Sequence, residues 1–190
     1  MNSNSAYQDA FREELINGEV VAMSPSPIWN HNRTAFNIAH MFENYLYGKT
    51  CTPVSDGTDL YLTEKDVFIP DMMVVCDPDK IKWNGVYGAP DLAVEVLSPS
   101  TAKNDRGYKK KLYERFGVKE YWIVNANEKT IEQYLLTDGQ FELNAVYVLH
   151  PGYVLDAMPE KERLNVVTEF KCSLFDDFVI KLEDVFYRTT

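Results

Sequence analysis

Apolar and polar residues follow patterns whose period changes along the chain, and these changes separate strands from helices. Near the N-terminus, two apolar pairs flank Asn17-Gly18, the dipeptide that suits a type I′ turn, so the pattern predicts a β-hairpin over 12–23. Apolar residues then recur at helical spacing, which predicts a first helix over about 28–47.

Strand patterns dominate the next part of the chain. Two strand candidates, 51–62 and 67–76, are separated by a short polar stretch and are expected to pair as a hairpin. Residues 77–90 contain several Gly, Pro and Asp residues, which predicts a loop. Loops of this length are often functional, and this one contains the aromatic residue Trp83.

A change of period marks a βαβ unit in the middle of the chain. The apolar run 91–97 predicts a buried strand, 104–116 an amphipathic helix, and 121–124 a second buried strand. Two strands joined through a helix are expected to be parallel, with a right-handed crossover.

The last part of the chain predicts a second hairpin, from strands 131–136 and 141–149, followed by an irregular tail. At 190 residues and 45% hydrophobic, the chain is long enough for one sizeable core and short for two. We therefore expect a single domain over 1–190, with its core at about 28–126 and the C-terminal hairpin and tail at 130–190.

The sequence contains no apolar run of about eighteen residues that could span a bilayer, and its first ten residues are too polar for a signal peptide. Cys51, Cys76 and Cys172 are odd in number and lack paired C-x-x-C spacing. We expect reduced core thiols, a cytoplasmic location and no membrane association.

Charge is unevenly distributed. The chain carries a net charge of −10, which disfavours nonspecific binding to nucleic acid. Segment 103–119, however, has seven cationic residues against two acidic ones, which gives +5. A solvated helix face is the ordinary explanation of such a run. Its position just after the buried strand 91–97 favours a second interpretation, a surface that binds a nucleic-acid backbone.

Glu95 lies within the otherwise apolar strand 91–97, where a carboxylate is costly unless a cation or strong donors meet it. Asp91 shares its face but lies roughly 13 Å away along the strand, too far to bind the same ion. Asp71, near the middle of strand 67–76, is the best-placed partner. Asp71 and Glu95, with the backbone carbonyl of Val96 and waters, would suit Mg²⁺, with Mn²⁺ as a substitute. The alternative for Asp71 is a plain strand bend caused by the preceding proline.

Helix phase distinguishes the three consecutive lysines. The apolar stripe of helix 104–116 is centred on Lys109, whereas Lys111 points away and is expected to face solvent. Asp105 lies one turn earlier on the same stripe and is expected to pair with Lys109. Lys109 would then stabilise charge that develops on a phosphate. The alternative is that the side chain snorkels to water along Tyr113.

Other polar residues are candidates for supporting roles around this site. His31 lies on the apolar stripe of the first helix, where a structural role is the more ordinary one. The acidic candidates could equally be ordinary surface residues of a hairpin or of a strand end. The candidates for supporting roles are His31, Glu19, Glu14, Asp59 and Asp105.

The motifs resemble the putative restriction endonuclease family catalogued as domain-of-unknown-function family 820. The likeness covers nearly the whole chain. It rests on residues 14–19, Ile69-Pro70-Asp71, residues 74–78, 88–92 and 95–101, Asp105-Arg106-Gly107-Tyr108-Lys109, Tyr113 and residues 117–122. The resemblance implies a member of the PD-(D/E)-x-K nuclease superfamily.

That superfamily implies an α/β fold with a restriction-endonuclease-like αβββαβ core: a mixed central sheet flanked by helices, here with N-terminal and C-terminal β-hairpins. It also implies a Mg²⁺ requirement and phosphodiester hydrolysis. Asp71 and Glu95 match its two acidic positions. Leu97 stands where the superfamily pattern has lysine, and Lys109 resembles a relocated replacement.

These observations predict a metal-dependent endonuclease that acts on nucleic acid, and DNA is the expected substrate. Lys103, Arg106 and Lys110 are expected to contact the backbone of the DNA. A chain this acidic would need a narrow basic groove, a partner protein or a dimer to bring DNA close, and we expect a homodimer. The alternative function is a nuclease-fold binding or assembly module without catalysis.

Overall fold

The computed structural model describes residues 13–22, 28–55 and 57–190. The helices are α1 (Trp29–Leu46), α2 (Ala102–Asn104), α3 (Lys110–Phe116), α4 (Gly152–Ala157), α5 (Glu160–Arg163) and α6 (Leu182–Val185). The strands are β1 (Glu13–Ile16), β2 (Glu19–Ala22), β3 (Thr52–Ser55), β4 (Leu60–Thr63), β5 (Asp66–Phe68), β6 (Met72–Val75), β7 (Ile81–Lys82), β8 (Gly85–Tyr87), β9 (Leu92–Val96), β10 (Glu120–Asn125), β11 (Thr130–Thr137), β12 (Gln140–Val148), β13 (Glu169–Lys171) and β14 (Val179–Lys181).

Two mixed sheets organise the described residues. The central sheet has the order β12-β11-β10-β9-β6-β3, and the second sheet has the order β2-β1-β5-β4-β8-β7. Strand β9 is buried on both faces: Leu92, Val94 and Val96 join one apolar core with α1 and the C-terminal segment. Ala93 joins the other core, with α3 and strands of the second sheet. Because side chains alternate along a strand, Glu95 faces this second core.

The predicted pairing of strands 51–62 and 67–76 is confirmed, but each strand is broken in two. The halves of the two predicted strands that lie far from their connecting turn, β3 and β6, pair in the central sheet. The halves next to the turn, β4 and β5, pair in the second sheet. Pro70 has no N–H for a sheet ladder, so it lies between β5 and β6 and not within a strand. Asp71 therefore occupies a bend, and its predicted place in the middle of a strand is wrong.

The N-terminal hairpin and the first helix are confirmed. Asn17 and Gly18 both have positive φ, at 54° and 81°, as a type I′ turn requires. The hairpin joins the second sheet where Leu15 pairs with Val67. Asp66 accepts a hydrogen bond from the backbone N–H of Asn17 at 2.9 Å and so fixes the turn.

The βαβ unit is also confirmed, because β9 and β10 are parallel and a helical connection joins them. That connection runs from α2 through a π-helical turn (Asp105–Lys109) into α3. Gly117 ends it at a φ of 83°, a left-handed conformation that glycine adopts without strain. The C-terminal hairpin of β11 and β12 likewise follows the prediction.

Two segments hold more structure than their patterns predict. Segment 77–90, predicted as a loop, contains the short hairpin of β7 and β8, with Trp83 in its turn and 98% exposed. The tail, predicted as irregular, contains α4, α5, α6 and the β13-β14 pair. Elements of two to six residues are too short to show a period. Contacts distant in sequence hold them, such as the bond from Val86 N to the Asp59 carbonyl.

The expectation of three reduced thiols is wrong, because Cys51 and Cys76 form a disulfide. They extend the β3-β6 pairing by one residue, so strand register brings together two cysteines that lie 25 residues apart. Cys172 is free and buried, as expected. Disulfides are rare in cytosolic proteins, and the cytoplasmic location stays a prediction. No helix among the described residues is long and apolar enough to cross a membrane.

Candidate active site

Asp71 and Glu95 lie where β6 and β9 run side by side. Met72 is opposite Val94 in this antiparallel pair, so the same register continued by one residue points Asp71 towards Glu95. The backbone N–H of Val96 donates a hydrogen bond to Asp71 Oδ2 at 2.7 Å. The bend after Pro70 thus fixes the Asp71 carboxylate against the end of β9.

Lys109 lies on the other side of Glu95, and only 1% of it is exposed. Its ammonium nitrogen is 2.7 Å from Glu14 Oε1, 3.2 Å from Glu95 Oε1 and 3.5 Å from Asp105 Oδ1. The predicted pairing with Asp105 is therefore confirmed, and snorkelling to water is excluded. Lys111 is exposed, as the helix phase predicts. We call Glu14, Glu95, Asp105 and Lys109 the buried charge cluster.

Strong electrostatic coupling follows from this geometry. Burial raises the pKa of Glu95 well above its usual value; Lys109 opposes the increase, while Asp105, Asp71 and Glu14 add to it. Burial likewise raises the pKa of Asp105, again against Lys109. Burial alone would lower the pKa of Lys109, but the attraction of Glu95, Glu14 and Asp105 outweighs it and raises that pKa. The ammonium group therefore stays charged.

His31, from α1, borders Asp71. Its Nε2 is 3.4 Å from Asp71 Oδ1, and both side chains are largely buried. The predicted proximity of His31 to the site is thus observed. Asp71 is the residue that links the histidine to β9, because its other oxygen accepts the Val96 N–H.

The remaining candidates lie farther from the carboxylates or already have partners. Glu19 is exposed beside the hairpin turn. Asp59 accepts a hydrogen bond from Tyr61 at 3.0 Å. Among the predicted DNA contacts, Lys103 is exposed, whereas Arg106 forms an ion pair with Glu132. The third predicted DNA contact, Lys110, has its ammonium nitrogen 3.5 Å from the centre of the Tyr134 ring.

Glu14 and Tyr113 contact the site, but neither was predicted as a catalytic residue or a metal ligand. Glu14 accepts the backbone N–H of Ile69 at 2.9 Å as well as binding Lys109. Tyr113 donates its hydroxyl to Glu95 Oε1 at 2.8 Å. Tyr113 lies four residues after Lys109 on the same helix stripe, a spacing that could have identified it. Nothing local distinguishes Glu14, because the pairing of β1 with β5 determines its position.

The donor set fits a hard divalent cation. Glu14, Glu95 and Asp105 bring three carboxylates within 3.5 Å of one ammonium group, and Asp71 lies close enough to Glu95 to raise its pKa. Neither oxygen of Asp105 has a hydrogen-bond partner within the described residues. Across residues 13–22, 28–55 and 57–190 there is no group of three or more His, Cys, Asp or Glu side chains arranged to hold a metal ion. Mg²⁺ requires only one or two carboxylates, because waters complete its shell. The carboxylates therefore have the chemistry that Mg²⁺ prefers, and waters would have to complete its shell.

Comparisons with known proteins agree with this fold. Residues 5–166 match the sequence profile of the Uma2 family, described as "Putative restriction endonuclease". An uncharacterized protein from Synechocystis is 30% identical over 129 residues, which cover 67% of each chain. The crystal structure of a "putative nuclease belonging to DUF820" from Anabaena variabilis superposes with a TM-score of 0.66 at 16% identity, covering 92% of this chain and 89% of that one. The expected nuclease-like α/β fold is thus confirmed.

Proposed function

Because the chain belongs to the Uma2 family of putative restriction endonucleases, we propose that it is a metal-dependent endonuclease that hydrolyses phosphodiester bonds, with DNA as its substrate. One observation carries the proposal. Asp71 lies in the bend just before β6, Glu95 lies in the neighbouring strand β9, and a fully buried lysine lies against Glu95. Carboxylates placed in this way are costly for folding alone and are suited to binding a cation.

Each residue has a separate part in this proposal. Asp71 and Glu95, with the backbone carbonyl of Val96, would hold Mg²⁺, and Mn²⁺ could replace it. The bound ion would supply positive charge next to the phosphate and make water more acidic. Lys109 opposes the increase in the pKa of Glu95 and adds positive charge near the phosphate. The Tyr113 hydroxyl fixes the orientation of Glu95.

Contact with DNA requires the basic helix to expose its cations. Lys103 is exposed, but Arg106 and Lys110 must exchange Glu132 and Tyr134 for phosphate groups. The net charge of −10 opposes a polyanion over the rest of the surface. We therefore propose a homodimer, in which two basic segments reinforce each other.

A second candidate function is a nuclease-fold binding or assembly module without catalysis. It is favoured by the ion pairs of Lys109, since three carboxylates already lie within 3.5 Å of its ammonium nitrogen. In addition, Glu95 Oε1 already contacts both Lys109 and Tyr113. A site of this kind could hold the fold together without turnover.

Nicking of supercoiled plasmid in Mg²⁺ or Mn²⁺ distinguishes the two functions. We expect cleavage by the wild-type protein, its loss with excess chelator, and its loss in Asp71→Asn and Glu95→Gln. The matched control is Asp91→Asn. Asp91 precedes β9 on the face of Glu95, but its carboxylate binds the Cys76 N–H and Lys119 at 2.7 Å each.

Cleavage that survives in both Asp71→Asn and Glu95→Gln would contradict the proposed site. Absence of cleavage of any DNA or RNA by the folded wild-type protein, with either ion, would favour the binding module. Equal loss in Asp91→Asn would show a general effect on the sheet and not on the site.

A further inference from the structure

Helix α1 presents an unusual outer face. Trp29 is 62% exposed and Phe36 is 58% exposed, at positions where a surface helix normally carries polar residues. Arg33 and His40 lie between and beyond them, so the four residues follow the spacing of one helix face. Large solvent-exposed aromatic side chains next to a cation indicate a binding surface.

Phe36 and His40 form a stacked pair of rings on this face, which we call the aromatic platform. Phe36 and His40 have ring centroids 5.8 Å apart and planes only 7° from parallel. The guanidinium carbon of Arg33 is 5.2 Å from the centroid of Phe36. Its Nε donates to the carbonyl of Tyr187, which holds the arginine in place. Such a surface offers π-faces and a positive charge together.

This platform borders a cleft that leads to the candidate active site. The cleft has a volume of about 420 Å³ and lies between α1 and the edge strand β3. Asn32, Ala35, Phe36 and His40 line one side, and Ser55 lines the other. Asp71 also lines the cleft, so the same carboxylate belongs to the candidate metal site and to the cleft.

Charge along α1 also suits an anionic ligand. Helix α1 contains one cation, Arg33, beside the rings, and a single acidic residue, Glu43, in a chain whose net charge is −10. Glu43 lines the cleft too, but it lies twelve residues beyond His31, about 18 Å along the helix from the side chain that contacts Asp71. The part of the cleft nearest Asp71 therefore has no acidic residue from α1.

We propose that this cleft binds one unpaired nucleotide of a single strand, with its base stacked on Phe36 and His40 and its phosphate directed towards Asp71. The inference rests on the proposed nuclease function and specifies its substrate as single-stranded or locally unpaired nucleic acid. Aromatic platforms bind single strands because every base has a π-face, which pairing and stacking hide in a duplex. Arg33 adds a cation next to the platform.

Binding in chelator tests the inference without requiring cleavage. Fluorescence anisotropy would compare a short labelled single strand with the duplex of the same sequence. We expect the wild-type protein to bind the single strand at least about tenfold more tightly, and Phe36→Ala to lose about tenfold, the scale of one base-aromatic stack. The matched control is Tyr47→Ala: Tyr47 follows α1, is 86% exposed and does not line the cleft.

The outcomes separate this inference from the proposed function. Single-strand binding that depends on Phe36 supports the cleft even if no plasmid is ever nicked. Equal binding of both DNA forms, or equal losses in Phe36→Ala and Tyr47→Ala, would overturn it even if Glu95-dependent nicking is observed. A change of oligomeric mass in Phe36→Ala with unchanged single-strand affinity would also overturn it, because the face would then bind a second copy of the chain.

Discussion

Glu95 and Glu120 are buried glutamates on the neighbouring parallel strands β9 and β10, but their hydrogen-bond partners and the charges around them differ. Glu120 is fully buried and accepts hydrogen bonds from neutral donors: Trp122 Nε1, Gln133 Nε2 and both the backbone N–H and the hydroxyl of Ser173, at 2.5–2.7 Å. Glu95 accepts one phenolic hydroxyl and one ammonium group, and three other carboxylates lie close enough to raise its pKa.

The difference shows that burial of a carboxylate does not by itself identify a functional site. Hydrogen-bond donors saturate Glu120, which connects the central sheet to the segment around Ser173 and so has a structural role. Glu95 lies in a negative field, because it shares one lysine with Glu14 and Asp105, and Asp71 adds a further carboxylate nearby. An additional cation would relieve that field, which is why we assign binding of the metal to Glu95 and not to Glu120.

The largest predicted effect on stability is that of replacing Glu120, the glutamate with a structural role. Glu120→Ala leaves Trp122 and Gln133 with unpaired buried donors, at about 1–3 kcal/mol each, and removes the acceptor of the exposed Ser173. We expect a loss of about 5 kcal/mol in the free energy of unfolding, measured by urea denaturation. A loss below about 1 kcal/mol would show that water replaces the carboxylate and that Glu120 does not anchor the C-terminal segment.

Lys109→Met is the next largest change. It removes the one cation from among Glu14, Glu95 and Asp105, and unpaired buried charges cost about 3–5 kcal/mol. Urea denaturation at neutral pH should show a loss on that scale. Lys111→Met, on the exposed face of the same helix, should change stability by no more than about 0.5 kcal/mol. Equal effects in the two variants would mean that the buried charge cluster contributes nothing to folding.

Glu95→Gln should have a small effect on stability. The amide keeps an acceptor for Tyr113 and removes a charge that neighbouring carboxylates repel, while the attraction of Lys109 is lost. These terms oppose each other, so we expect a change within about 1 kcal/mol in the free energy of unfolding. Nicking activity should be lost in the same sample. Unfolding as severe as that of Glu120→Ala would show that Glu95 is structural too.

The smallest effect concerns Asp66, whose carboxylate, like that of Glu120, has several hydrogen-bond donors. Burial acts to raise its pKa, but the Thr63 hydroxyl, the Asn17 N–H and the Tyr108 hydroxyl outweigh burial and lower the pKa below 3.8. A lowered pKa stabilises the fold above pH 3.8, and that stability is lost as pH falls through the folded-state pKa.

Asp66→Asn should therefore cost about 1 kcal/mol at neutral pH and progressively less in acid, measured by urea denaturation across the pH range. Asp138→Asn, in the exposed turn between β11 and β12, is the control and should change stability by no more than about 0.5 kcal/mol at neutral pH. A difference between wild type and Asp66→Asn that grows on acidification would contradict the assignment.

Much of the fold could be predicted, because it follows from local periods. The βαβ unit, both hairpins and α1 have regular patterns, and the helix phase correctly placed Lys109 inside and Lys111 outside. The break around Asp71 was harder, since Pro70 divides a continuous apolar pattern between two sheets. The disulfide was missed because strand register, and not cysteine spacing, brings Cys51 to Cys76.

The site was predictable only where its residues share an element or a motif. Asp105 and Lys109 are one turn apart on one helix, so their pairing follows from spacing. Glu14 depends on the pairing of Leu15 with Val67, which no local pattern shows. Glu120 lies one residue before the predicted strand 121–124, and its donors come from residues up to 53 positions away. Sequence alone could not show that hydrogen-bond donors surround the Glu120 carboxylate.

Mn²⁺ binding, followed by the electron paramagnetic resonance signal of the free ion, tests the central claim most directly. We predict that the wild-type protein and Glu120→Gln, compared as folded samples, bind Mn²⁺ with similar affinity, and that Glu95→Gln and Asp71→Asn lose binding. Undiminished Mn²⁺ binding in both Glu95→Gln and Asp71→Asn would contradict the assignment of the metal to these two carboxylates.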